Sequence, residues 1–399
     1  MLSESSRPII ESTLQTIAER INDITVIFYR KMFEYHPELM DGMFSRADQA
    51  EGIQPRALAG SVPVFASYIL ANPDSYPDEM LARIAHKHAS LGVTADQYEI
   101  VYKYLFAAIA ENLGDACTPE IAEAWTEVYW LMADVLVKIE KGLYDGQKND
   151  VIHSNFKLVS RKEAGTSVLD MIFEPADSTV MSDAVAGQYV TVIVKTEDGL
   201  RQPRQYTLLP SAQNQRRIAV KQNEDGEVSP MLHKLEVGDI IEISNPYGDV
   251  VLGGYSDQDS QPLYLFSAGI GIVPMVAFLA ELKKNHSKRS VVAVHADSSS
   301  EAWPLREEYL KLVAELDDAK AISFLKDGEG DFQGEVRVES LDMPRRASVY
   351  MCGPLSYMQS VRSALVQQGI PGRNIQYEIF GPDQWILRAT RRSMRGNRV

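Results

Sequence analysis

The sequence is poor in cysteine, in positive charge and in long apolar runs, and each shortage narrows what the protein can be. Its 399 residues include two cysteines, Cys117 and Cys352, too far apart and in segments too different to build a disulfide framework or a thiolate metal site. A reducing compartment is implied. Acidic residues outnumber basic ones by 55 to 40, for a net charge of −15, so a phosphate surface would repel the bulk of the molecule. That disfavours a nucleic-acid or anionic-membrane partner and favours a small-molecule substrate. Met1 to Ile10 reads MLSESSRPII, without the basic stretch and apolar core of a signal peptide. The most apolar window, Ile270 to Ala280, is eleven residues long and interrupted by Pro274, short of the ~20 a membrane span requires. A soluble, cytoplasmic protein with no obligate membrane contact is expected.

What is present changes character along the chain. Before Gly146 the apolar residues recur at helical spacing. Ile121, Trp125, Val128, Met132, Val135, Ile139 and Leu143 form one stripe, opened by Thr118 as N-cap and Pro119 at the first helical position. Thr94 and Gln97 make a capping box ahead of a helix with Tyr98, Val101, Leu105 and Ile109 on one side. No strand pattern is evident there, and an all-α domain is predicted. Alternation at period two then takes over in Gly187–Lys195, Arg217–Lys221 and Ile240–Ile243, predicting an antiparallel β-barrel from about Ser154 to Gly254. From Pro262 the order becomes strand, turn, helix, repeated, as in an α/β doubly wound parallel sheet. The boundaries expected are 1–147, 148–258 and 259–384. The remainder, 385–399, is rich in arginine and is expected to be a solvated tail.

Two turns in the third segment can approach a phosphate. In Gly269-Ile270-Gly271-Ile272-Val273-Pro274 the glycines let backbone come close to a pyrophosphate at a helix N-terminus. A bare tight turn is the competing reading. A second turn at an equivalent place, Cys352-Gly353-Pro354, could line the same crevice. The barrel contributes Arg204-Gln205-Tyr206-Thr207 and Gly226-Glu227-Val228-Ser229; an arginine can pair with a diphosphate, a tyrosine can cover a flat ring and a hydroxyl can bond a ring nitrogen. With the closing run Tyr377-Glu378-Ile379-Phe380-Gly381-Pro382, residues 154–384 resemble the ferredoxin-reductase-like flavoproteins. The resemblance implies FAD on Tyr189, Arg204 to Thr207 and Gly226 to Ser229, and NADH or NADPH on Gly269 to Pro274. Phe380 would shield the flavin ring. Thr207 stands where the family more often has serine, which keeps the hydroxyl and adds a methyl group. Asp297 and Glu301, after the second strand, suit the free ribose hydroxyl of NADH better than a 2′-phosphate.

Of seven histidines, His86 and His88 lie in a strongly periodic helix, Pro77 to Leu91, closed by Gly92. His88 shares a stripe with Leu81, Ile84 and Leu91, and His86 faces away. A lone histidine on an apolar face is usually a satisfied core residue. Here Tyr98 and Glu140 sit on the two capped helices, and a buried carboxylate is costly unless it meets a partner such as an imidazole. Taken in order, Tyr29, Phe44, Gln54, Leu58, His88, Tyr98 and Glu140 resemble the globin domain of the flavohaemoglobins, the nitric oxide dioxygenases, and with the reductase the resemblance covers nearly the whole chain. It implies an all-α globin, a barrel FAD domain and an NAD(P) domain. It further implies haem b with His88 as iron ligand, Tyr29 and Gln54 on the distal side, Phe44 and Leu58 packing on the porphyrin, and Tyr98 and Glu140 as a proximal relay. Lys87 and Glu378 match positions near the electron-transfer face. Pro55 biases Gln54 away from helical geometry, and Pro63 should kink or break its helix.

The expected activity is NAD(P)H-driven conversion of nitric oxide and O2 to nitrate by a monomer, with a flavin turning paired electrons into single ones. The rivals are a haem-based gas sensor or oxygen binder, and an NADH-driven haem or flavin reductase or oxidase.

Overall fold

A computed structural model describes residues 1–50, 53–252 and 261–380; for residues 48, 50 and 53–59 it describes the backbone alone. By their contacts these residues form two compact units, Met1–Ile152 with Ile193–Arg204, and His153–Val192 with the chain from Gln205 onward.

The first unit is helical: α1 (Ser6–Tyr35), α2 (Arg46–Ala50), α3 (Ile53–Ala71), α4 (Asp78–Leu91), α5 (Gln97–Leu113) and α6 (Pro119–Asp145). Its core gathers Phe28, Met32, Phe65, Leu81, Leu105, Trp125 and Val128 from five of these helices. The Thr118 hydroxyl accepts from Ile121 N and Pro119 occupies the first turn, as the sequence predicts. The Thr94–Gln97 box is half formed: Thr94 N donates to Gln97 Oε1 at 3.0 Å, while the residue capping α5 is Asp96. Neither proline interrupts α3. Pro63 lies inside a helix that continues to Ala71, because Phe65, Ala66 and Ile69 bury in the core just beyond it and offset the proline's cost of about 3 kcal/mol. Gln54 is helical despite Pro55, which falls in the first turn, where an N–H has no intrahelical partner to lose.

In the second unit β1 (His153–Glu163), β2 (Val168–Pro175), β3 (Tyr189–Lys195), β4 (Arg201–Leu209), β5 (Arg216–Lys221) and β6 (Ile240–Ser244) close a barrel in the order β1-β2-β5-β4-β3-β6, with helix α7 (Val228–Lys234) before β6. The pairs β1–β2, β1–β6, β2–β5 and β4–β5 are antiparallel. The tip of the β3–β4 hairpin groups with the helical unit: Gly42 N donates to Arg201 O at 2.8 Å, Arg201 N to Asp41 Oδ1 at 2.7 Å, and Arg46 N to Gln202 Oε1 at 2.8 Å.

The α/β layer follows. Strands β7 (Leu263–Ala268), β8 (Val291–Asp297), β9 (Ala319–Leu325), β10 (Phe332–Gln333), β11 (Ser348–Cys352) and β12 (Ile375–Glu378) lie in the order β10-β9-β8-β7-β11-β12, with α8 (Val273–Lys284), α9 (Arg306–Ala314) and α10 (Leu355–Gln367) between them. The pairs β9–β10, β8–β9, β7–β8, β7–β11 and β11–β12 are all parallel. β7 runs at the centre, β8 lies on one side and β11 on the other, so the strand order reverses between β7 and β11, where such sheets bind ligands. Among the described residues no helix is long and apolar enough to cross a membrane.

Candidate active site

Helix α4 ends where Gly92, at φ +80°, caps it in the left-handed region. This places His88 in the last turn, facing α5 and α6. Its Nδ1 lies 2.8 Å from Glu140 Oε1 and 3.0 Å from the Tyr98 hydroxyl. The Tyr98 hydroxyl donates to the same Glu140 oxygen at 2.6 Å, and Tyr129 OH donates to the Tyr98 carbonyl at 2.6 Å. Burial, and next the Glu140 carboxylate, push the Tyr98 phenol far above its ordinary range, so it remains a donor. Glu140 is 2% exposed. With Nδ1 committed as a donor, Nε2 is the nitrogen that can ligate a metal, and the carboxylate fixes the tautomer and makes the imidazole a stronger electron donor. Among the described residues there is no cluster of three or more His, Cys, Asp or Glu suited to a metal ion. A metal held through His88 therefore has to bring its other ligands along, as a porphyrin does, and the site fits haem.

Tyr29 projects from the last two turns of α1 into an aromatic nest, with ring centroids 4.7 Å from Phe28, 5.6 Å from Phe33 and 5.8 Å from Phe44. Burial raises its phenol well above the ordinary range, and a hydrogen bond with Gln49 opposes this. Lys87 is half-buried beside His88. The side chains of Gln54 and Leu58 lie outside the described residues, as do Gly381, Pro382 and the 385–399 tail.

In the second unit β7 leads into the turn Gly269–Ile272 and then α8. Gly269 has φ +52° and open space where a side chain would stand. A Cβ on Gly271 would lie 2.4 Å from the Cys352 carbonyl oxygen, so the two turns touch at the ends of the adjacent strands β7 and β11. Ile272, Val273 and Pro274 bury their side chains, leaving backbone to face a ligand, while Ile270 is half-buried. Such a turn, open at Gly269 and closed behind Gly271, fits a dinucleotide phosphate.

On the barrel, Tyr189 is buried and exchanges backbone hydrogen bonds with Tyr247 at 2.7 and 2.9 Å. Arg204, Gln205 and Tyr206 are half-buried on β4, and Thr207 is buried. Gln205 Nε2 donates to Thr191 Oγ1 at 3.1 Å. Gly226 and Ser229 bracket the start of α7, with Val228 buried between them; Asn223 N donates to Ser229 Oγ at 3.0 Å. Glu378 ends β12 and its carboxylate accepts from Ile379 N at 3.1 Å. Phe380 is 46% exposed.

Comparison with known proteins follows this division. Residues 26–136 match the globin model, 155–252 the oxidoreductase FAD-binding domain and 265–363 the oxidoreductase NAD-binding domain. A flavohemoprotein of Bordetella pertussis is 34% identical over 96% of this chain and 99% of its own. The chain belongs to the flavohemoprotein family. The crystal structure of flavohemoglobin from Malassezia yamatoensis, with bound FAD and heme, superposes at a TM-score of 0.93 with 50% identity, covering 95% of this chain and 100% of that one. The FAD/NAD-binding domain of nitric oxide dioxygenase from Vibrio cholerae matches 58% of this chain and 100% of its own, at 30% identity and a TM-score of 0.54.

Sequence reasoning on this flavohemoprotein missed Gln49 and Phe33 beside Tyr29. Phe33, one helical turn beyond Tyr29, was visible in the spacing; Gln49 gave no signal. Also missed were buried Ser267 and His295, which line up with Asp297, a residue the sequence did single out. Ser267 Oγ is 2.9 Å from His295 Nδ1, and His295 Nε2 is 3.5 Å from Asp297 Oδ2. The other Asp297 oxygen accepts from Ser298 N at 2.7 Å, so this carboxylate is less open to a ribose than the sequence suggests. Glu301 is exposed.

Proposed function

We propose that the protein is a nitric oxide dioxygenase of the cytoplasm, acting as a monomer and using NADH or NADPH to convert nitric oxide and O2 to nitrate. The division into a globin domain (1–147), an FAD domain (148–258) and an NAD(P) domain (259–384) is part of this reading. The observation that carries it is the His88–Glu140–Tyr98 cluster in a chain whose remainder matches FAD- and NAD-binding oxidoreductase models. The family relatives named above, one with bound FAD and heme and one called a nitric oxide dioxygenase, support it.

When bound, haem b, FAD and the nicotinamide supply the electron transfer and the oxygen chemistry. His88 offers Nε2 to the iron while Glu140 and Tyr98 hold the ring from behind. Tyr29, kept protonated by burial, would offer a hydroxyl donor on the distal side of the bound haem. The family resemblance implies that Gln54 would join it on the distal side and that Phe44 and Leu58 would pack on the porphyrin. On the barrel, Tyr189 and Arg204 to Thr207 cover the flavin and pair with its diphosphate, with Gly226, Val228 and Ser229 beside them. Gly269 to Pro274, with Cys352 and Gly353, hold the dinucleotide. Phe380 shields the flavin ring within the closing run Glu378 to Pro382, and Lys87 and Glu378 tune the two potentials by their charge.

The test is NADH consumption in air with and without nitric oxide. Strong stimulation with nitrate as product is expected; NADH oxidation indifferent to nitric oxide would reject the reading.

A further inference from the structure

The barrel and the α/β layer share one apolar cluster, in which Val168, Leu209 and Ala219 pack with Phe278, Leu305, Tyr309 and Leu312. Apolar contact is not directional, so it joins the two layers without fixing their angle. Beside it lies an ionic group that is directional. Arg217, on β5, donates from Nε to Asp170 Oδ1 at 2.9 Å and from Nη2 to Asp170 Oδ2 at 2.8 Å. It also donates from Nη1 and Nη2 to the two oxygens of Glu308 at 2.9 and 2.6 Å, and from Nη1 to the Pro210 carbonyl at 3.3 Å. All five guanidinium N–H groups are thereby used. Lys162 Nζ, 3.2 Å from Asp170 Oδ2, completes the group. Asp170 is fully buried on β2, whereas Glu308, 32% exposed, belongs to α9.

The position of each partner gives the clasp its meaning. Arg217 pairs in register with Leu209 of β4, two residues beyond Thr207 at the end of the Arg204–Thr207 run. Glu308 lies on α9, which packs on α8, the helix that opens from the Gly269–Ile272 turn. One side chain therefore ties the strand of the flavin motif to the helix layer of the nucleotide turn. Close packing supports it at the same edge: Leu305 N donates to Ala164 O at 2.8 Å, and a Cβ on Gly165 would lie 3.0 Å from Pro304 Cα. A buried ion pair of this kind is weak evidence for stability, since apolar replacements are often neutral. What the planar, doubly bidentate fork supplies is geometry, which a lysine cannot reproduce.

Hydride transfer needs its donor and acceptor atoms about 3–3.5 Å apart, and an error near 1 Å can cost about 100-fold. We propose that Arg217, gripped at once by Asp170 and Glu308, is a positioning residue for hydride transfer that sets the angle at which the nicotinamide meets the flavin. This rests on the reading that FAD and NADH occupy the motifs named above.

The experiment uses full-length, cofactor-loaded protein carrying Glu308→Gln, which keeps the Arg217–Asp170 pair and changes a half-exposed residue, with Arg217→Lys alongside. Anaerobic mixing with NADH should show flavin reduction at saturation slowed about 10- to 100-fold. Flavin content and half-saturation by NADH should stay within about twofold. Hydrogen exchange of the Leu305 amide, measured without NADH, should accelerate in both variants. Should Arg217→Lys fail to fold, Glu308→Gln decides. A Glu308→Gln protein that reduces its flavin at the parental rate, or slows only in proportion to flavin lost, overturns the proposal. Parental protein whose flavin NADH does not reduce overturns the functional reading, and the proposal with it.

Discussion

Gly271 and Cys352 meet so closely that a methyl group on the glycine would stand 2.4 Å from the cysteine's carbonyl oxygen. The neighbouring glycine, Gly269, has nothing within 4 Å of the same construction, only a φ of +52°. Gly271→Ala should destabilise the second unit by about 3 kcal/mol or more, because the obstacle is backbone that cannot swing aside. Gly269→Ala should cost about 1–2 kcal/mol for a left-handed alanine. Urea unfolding of the two variants measures the difference; equal losses would mean that the turns do not touch as described.

Glu140 is buried with two donors aimed at one oxygen. Removing the carboxylate in Glu140→Ala leaves the Tyr98 hydroxyl and His88 Nδ1 without it, at about 1–3 kcal/mol each for a buried group left unpaired. Glu140→Gln keeps a hydrogen-bond acceptor and loses the anionic character that strengthens the imidazole as a donor. In haem-loaded protein the iron–histidine stretching frequency should fall in Glu140→Gln. A frequency unmoved by the substitution would separate this carboxylate from the metal.

Tyr29→Phe should leave the fold intact, since the edge-on contacts with Phe28 and Phe44 and the stacking on Phe33 need only the ring. Loss of one hydroxyl donor of about 1–1.5 kcal/mol corresponds to roughly tenfold. Nitric oxide consumption should slow and O2 release should quicken by that order, read by stopped flow. Unchanged kinetics would remove Tyr29 from the distal chemistry.

His295 is fully buried, and burial, opposed by Asp297, lowers its pKa below the usual imidazole value. The folded state therefore holds this ring neutral where the unfolded chain takes up a proton, near pH 6.5. Stability is full above that pH and is lost as the pH falls through it toward the depressed folded value. His295→Phe, which keeps a ring against Trp303, should flatten the pH dependence of unfolding between about pH 5 and 7. A slope identical to the parent's would show that other groups set it.

What could be read from the sequence was local. The stripe of α6 with its Thr118 cap, the glycine that stops α4 and the inward side of His88 are all fixed by residues within a few turns of each other, and the structure shows each of them. The Gly269–Ile272 turn was legible for the same reason, since a strand, a glycine pair and a helix-opening proline lie within the twelve residues Leu263 to Pro274. The Arg217–Glu308 clasp was not, because 91 residues separate the partners and an arginine in a strand gives no sign of what it will meet. Ser267 and His295 are 28 residues apart and come together only through strand pairing. Pro63 shows the opposite failure: the local rule was read correctly, and core burial overrode it.

The hairpin tip at Arg201 and Gln202 completes the 41–46 segment from which Phe44 projects, through one backbone bond, Gly42 N to Arg201 O, and two backbone amides that donate to the side chains of Asp41 and Gln202. Dissecting the chain just past α6 to study its haem-binding part in isolation would strip that segment of its scaffolding. Gas affinities recorded on such a fragment would describe a pocket with a loosened wall, and should not be carried over to the whole enzyme.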